Sequence, residues 1–134
     1  MSINIRVLTP TRVICSTIAD EVVLPGLTGK IGVLEGHASL IASLDTGLLR
    51  IKIDEKWTPI ILCGGVVEID QNRVTVLVLD VEELTTTLGL SQATKEVEEA
   101  TLELEMAETS KARLDASVKL KKAQARLEAV TYLS

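Results

Sequence analysis

Phenylalanine is absent from the 134-residue chain, and Trp57 and Tyr132 are its only aromatic side chains. Nothing here can build the stacking platforms on which single-stranded nucleic acid is held. A formal net charge of −5 excludes the basic footprint of a phosphate-backbone binder as well. Histidine occurs once, as His37, and cysteine twice, as Cys15 and Cys63. Those three residues have neither the spacing nor the fourth partner of a zinc site. A lone histidine with no neighbouring nucleophile or acid–base pair leaves hydrolytic and transfer chemistry without its groups. Gly64 and Gly65 lack the flanking pattern of a phosphate loop and read as a strand bend or bulge. No apolar run is long enough to span a membrane, and even residues 74–81 are interrupted by Thr75 and Asp80. The first eight residues alternate as a strand does and resemble neither a secretion signal nor a transit peptide. The chain is therefore expected to be non-enzymatic and free of cofactor and metal. It should act in the compartment where it is made, with Cys15 and Cys63 both reduced and packed like small hydrophobes.

What the chain does have is an apolar fraction of 46%, enough to supply a core, arranged with two different periods. From Ile3 to about Leu88 the apolar residues recur at every second position, as in Ile3, Ile5 and Val7, in Leu49, Ile51 and Ile53, and in Val74, Val76 and Val78. Turn residues at 9–10, 26–29, 45–47, 54–56, 64–65 and 70–72 divide this region into roughly eight to ten short strands. An antiparallel sandwich or a flattened barrel accommodates such a set. His37 falls in a turn between strands, where a structural hydrogen-bonding role is expected. Trp57, after Asp54, Glu55 and Lys56, is expected to cover an edge of the sheet.

After Gly89 the period becomes helical, with Ser91 as the expected N-cap. Ala93, Val97, Ala100, Leu104 and Ala107 form one apolar stripe, and Ala116, Leu120, Ala123, Leu127 and Val130 form a second. Ala107 and Ala116 are nine positions apart, which at about 100° per residue puts them on opposite sides of a continuous helix. A break at Thr109 and Ser110 lets the second helix fold back so that the stripes meet in an antiparallel hairpin. Glu96, Glu99 and Glu103 flank the first stripe, while Lys119, Lys122 and Arg126 flank the second. Folding at the break matches Glu103 with Lys119, Glu99 with Lys122 and Glu96 with Arg126. Exposed pairs of this kind contribute ~0–1 kcal/mol each. The ladder is thus weak enough to be exchanged for an external acidic partner.

Residues 7–10, GKIGV at 29–33, GHA at 36–38, GLLRI at 47–51, the Gly64 and Gly65 pair with the residues up to 69, and VTVLV at 74–78 stand in this order ahead of the hairpin. In that order and spacing they resemble the epsilon subunits of F-type ATP synthases along essentially the whole chain. LTPTRVI at 8–14 and Trp57 are most similar to plastid or cyanobacterial members. The resemblance implies an α+β chain in two parts, an N-terminal antiparallel β-sandwich of about ten strands (residues 1–88) and a C-terminal antiparallel two-helix hairpin (89–134). It implies binding of the sandwich to the gamma subunit and to the ring of c subunits, with peripheral membrane association through the complex. The location implied is the stromal side of the chloroplast thylakoid, or its cyanobacterial counterpart. Lys30 then belongs to a loop near the c ring, although some relatives carry an acidic residue there, and His37 lies toward gamma. The hairpin in this family opens along gamma to restrain ATP hydrolysis, which makes Lys119, Lys122 and Arg126 the candidates for an acidic segment of a catalytic beta subunit. The ATP-binding motif of some bacterial members is missing, because Leu90, Ser91, Gln92, Ala93, Thr94 and Lys95 include neither its Asp nor its Arg. No regulatory ATP site is expected. A transcript-cleavage factor of the Gre type also joins a hairpin to a sheet, but it needs acidic residues at the hairpin tip. Here the tip reads Glu108, Thr109, Ser110 and Lys111, and the hairpin follows the sheet.

Overall fold

A computed structural model describes residues 2–82 and 89–133. Residues 83–88, where the expected boundary between sandwich and hairpin falls, lie outside the described residues. Eight strands precede two helices: β1 (Ile3–Leu8), β2 (Val13–Ala19), β3 (Glu21–Gly26), β4 (Gly29–Val33), β5 (Leu40–Ile53), β6 (Lys56–Asp70), β7 (Arg73–Val78), β8 (Val81–Glu82), α1 (Leu90–Met106) and α2 (Ser110–Leu133). The sheet path is β2-β1-β7-β6-β5-β3-β4, with β8 paired to β6. Its ladders are antiparallel except that between β1 and β7, which is parallel.

The expected count of about ten strands becomes eight among the described residues because two anticipated breaks are not breaks. β5 runs through Asp45 and Gly47, and β6 runs through Gly64 and Gly65, so each is a long strand shared by both layers of the sandwich. Gly64 and Gly65 make the bend in β6 with φ of 71° and 151°. A Cβ on Gly65 would stand 2.2 Å from the Leu77 carbonyl oxygen, so only glycine lets β7 approach this closely. Before the bend β6 pairs with β8 through Ile61 and Leu62, and past it with β7. The turns at 54–55 and 71–72 are two-residue hairpin turns in which Asp54, Glu55, Gln71 and Asn72 all take positive φ.

Period-two alternation points Ile3, Ile5, Val7, Val22, Leu24, Leu49, Ile51, Leu62, Val67, Ile69, Val74 and Val76 between the layers, where each is buried. Cys15 packs partly buried against this core, and burial pushes its thiol pKa up. Cys15 and Cys63 are both free thiols. The helices lie on the outer surface of the layer formed by the second half of β5 and the first half of β6. There Ala125 and Ala129 of α2 bury Leu48 and Ile61.

Both expected stripes meet in the hairpin, with Ala93, Ala100, Ala116 and Ala123 buried along them. The start of α1 is set by a different residue from the one anticipated, whereas α2 starts at the expected break. α1 is capped by Gly89, whose carbonyl accepts from the Ala93 amide, and Ser91 is already inside the helix and exposed. α2 is capped by Thr109, whose Oγ1 accepts from the Ala112 amide at 3.1 Å. No described helix is long and apolar enough to cross a membrane.

Candidate functional site: the hairpin on the sandwich

α2 carries two apolar faces about 160–200° apart. Ala116, Leu120, Ala123, Leu127 and Val130 face α1, whereas Ala125 and Ala129 face the sheet. α2 is thus the middle layer, and α1 rests on the sandwich through it. The apolar component of this attachment is confined to four side chains. Covering large side chains such as Leu48 and Ile61 contributes about 1.5–3 kcal/mol each, and each alanine methyl adds ~0.8 kcal/mol.

Ion pairs supply the remainder. Lys119 donates to Glu103 at 2.7 Å, as matched in sequence. Arg126 reaches Glu96 with Nη1 3.5 Å from Oε2, also as matched. The third expected rung is not formed, since no ion pair joins Lys122 to Glu99 among the described residues. Helix geometry gives the reason: Lys122 sits about 40–60° further round α2 than Arg126 and Lys119, turned toward the sandwich and off α1.

Arg126 also grips the sandwich. Its Nε donates to Glu82 Oε2 at 2.7 Å and its Nη2 donates to Glu82 Oε1, a two-pronged bond to the last residue of β8. The Glu82 hydrogen bonds raise the guanidinium pKa further, so its charge is permanent. Two more pairs flank the seam. Lys121 donates to Asp45 of β5 at 3.1 Å, and Lys30 of β4 donates to Glu128 at 2.7 Å. Glu82, Asp45, Lys121 and Glu128 were not singled out from sequence. The available signal was the second α2 face, in which Lys121, Ala125 and Glu128 recur at spacings of four and three.

Lys30 is thus joined to α2 on the flank opposite Arg126, and His37 is bonded to none of these residues. His37 lies between β4 and β5, with Nδ1 2.6 Å from the Ala38 carbonyl oxygen and its amide donating to Leu34 O at 3.2 Å. The Gly36 amide bonded to Asn72 Oδ1 and the Ser39 hydroxyl bonded to Asp70 Oδ1 pin this loop to the β6–β7 turn. Trp57 stands opposite Lys52, with Arg50 and Lys52 cations 5.1 and 5.7 Å from its ring centroid.

The layer facing away from the helices is bare and apolar along one row. Cross-strand pairing aligns Val66 of β6, Leu77 of β7, Leu8 of β1 and Val13 of β2, and Val66, Leu77 and Val13 are exposed. Ile41 and Leu79 lie exposed nearby. Among the described residues no group of three or more His, Cys, Asp or Glu is arranged to hold a metal.

Residues 2–84 match the ATP synthase delta/epsilon chain beta-sandwich domain. The chain is 75% identical to the chloroplastic ATP synthase epsilon chain of Phaeodactylum tricornutum and 73% identical to that of Thalassiosira pseudonana, in both cases across all of each chain. Its fold is similar to a chain in the cryo-EM structure of Euglena gracilis mitochondrial ATP synthase, OSCP/F1/c-ring, with a TM-score of 0.78 at 19% identity, covering 97% of this chain and 81% of that one. A chain of the Tetrahymena thermophila mitochondrial ATP synthase central stalk and c-ring gives a TM-score of 0.62 at 14% identity, with 97% of each chain covered. With its sandwich matched by the domain and its whole length matched by the two chloroplastic relatives, the chain belongs to the ATP synthase delta/epsilon chain family.

Proposed function

We propose that this member of the family works as a non-catalytic subunit of a chloroplast ATP synthase central stalk, held by its bare sandwich face and regulated by its hairpin. The chloroplastic relatives support the chloroplast location, and the stromal side of the thylakoid, reached through the complex, is the finer assignment. The carrying observation is the division of the sandwich into two unlike outer faces. One presents the exposed Val66, Leu77 and Val13 row, and the other is covered by a basic helix held through an apolar contact of four side chains and three ion pairs. An exposed apolar strip on a small domain suits a constant partner. The gamma subunit is assigned to it, and the His37 loop, pinned at the β6–β7 turn, is assigned toward gamma as well. Lys30 and the β3–β4 turn are assigned to the c ring. Lys119, Lys122 and Arg126 are assigned to an acidic segment of a beta subunit once the hairpin opens.

Val66→Glu with Leu77→Glu puts two carboxylates in the middle of the row without touching the core. Co-purification with gamma should fall by on the order of tenfold, while the unfolding free energy changes by less than about 1 kcal/mol. Undiminished recovery of gamma would remove this face from the interface.

A further inference from the structure

The geometry points to Arg126 as the latch of the closed hairpin: one guanidinium ties β8 and α1 to α2 at the same time, so its release frees both helices together. The ladder matched from sequence holds helix to helix and says nothing of what holds the hairpin to the sandwich. Arg126 does both because it projects from α2 about a quarter-turn from the sandwich-facing alanines, between the two apolar faces. One prong pair meets Glu82 and the other side of the fork meets Glu96.

The cations differ in exposure, Arg126 being more sheltered than Lys121 at 41%, although the Asp45 and Glu128 carboxylates are as sheltered as Glu82. The Arg126, Glu82 and Glu96 side chains are 26%, 32% and 29% exposed, against 60% and 52% for Lys119 and Glu103 and 61% for Lys30. Solvent screens the outer pairs most. Glu96 Oε2 is buried with no hydrogen bond of its own, so the Arg126 charge is what balances it in the closed form. Lysine cannot replace the fork, because its single ammonium cannot bridge both Glu82 oxygens in one plane. The same arginine is a candidate for the external acidic partner, so latch and receptor contact would compete for one residue.

This inference rests on the reading of the hairpin as a movable element. It is tested on the isolated full-length chain, so that it can fail separately from restraint of hydrolysis in the assembled enzyme. Amide hydrogen exchange read by mass spectrometry reports on each helix. Arg126→Gln should quicken exchange in both α1 and α2 by about tenfold or more, while β1 and β7 stay protected. Arg126→Lys should not restore protection. Glu82→Gln should loosen both helices and Glu96→Gln chiefly α1, and these two carry the test if Arg126→Gln does not fold. Glu103→Gln, which removes a pair internal to the hairpin, should leave residues 121–130 protected. Equal effects of Arg126→Gln and Glu103→Gln, or unchanged exchange in Glu82→Gln, would overturn the latch.

Discussion

At the scale of single residues, two positions carry more of the structure than their chemistry announces. Gly65 combines a φ of 151° with a backbone contact that admits no Cβ, since Leu77 O would lie 2.2 Å away. Gly65→Ala must move β7 away from the bend in β6, at a cost of about 1–3 kcal/mol or more. A urea midpoint lowered without change in slope checks this, and an unchanged midpoint would mean that the bend is not held by this contact. Sequence reading saw the glycine pair as a bend or bulge but also used it to divide two strands. A bend and a turn use the same residues, and only the pairing partners on each side tell them apart. Arg126 was legible as the partner of Glu96 because hairpin folding is a local operation on two stripes. Its stronger bond to Glu82 was not legible, because nothing in the helical period reports on β8, 44 positions earlier.

Among the elements, α2 was read correctly on one side only. Its α1-facing stripe stands out because leucine and valine are interspersed with alanine. The sandwich-facing side consists of Ala125 and Ala129 set among Lys121, Gln124 and Glu128, a composition indistinguishable from a solvated face. Small residues on such a face do become informative once the strand beneath presents Leu48 and Ile61. Ala129 is fully buried there, so Ala129→Leu has no room and should lift α2 at a cost of about 1–3 kcal/mol. Trypsin would then cut after Lys121 and Lys122 faster, with strand stability unchanged; equal cleavage rates would show that α2 does not rest on this contact. The Glu99 to Lys122 rung failed for a related reason. Three basic residues on one flank were treated as a straight row, whereas the drift of the helix turns Lys122 toward the sheet. The cap of α1 moved from Ser91 to Gly89, because several residues near a boundary can serve and the local hydrogen bonds decide, while the break at Thr109 and Ser110 stands where the stripes put it.

For the whole molecule, the two-part architecture and the family were both legible, the first from the change of period after Gly89 and the second from ordered short motifs. The bare row of Val66, Leu77, Leu8 and Val13 was hidden, since it joins residues of four strands that only the register brings side by side. That row and the ion-paired hairpin lie on opposite outer faces, so attachment to a partner through one does not require the other to move. If the closed hairpin is the store of an inhibitory element, loosening its latch and disabling its external contacts must act in opposite directions. Steady-state ATP hydrolysis by epsilon-depleted chloroplast ATP synthase, titrated with each form of the chain, reads both. Glu82→Gln, which leaves every basic residue in place, is predicted to inhibit hydrolysis more strongly than the unmodified chain. Lys119→Glu with Lys122→Glu, which leaves the Arg126 latch in place, is predicted to inhibit less while still binding gamma. Shifts of both variants in the same direction, or inhibition unchanged in either, would contradict a hairpin that is latched to the sandwich and acts when released.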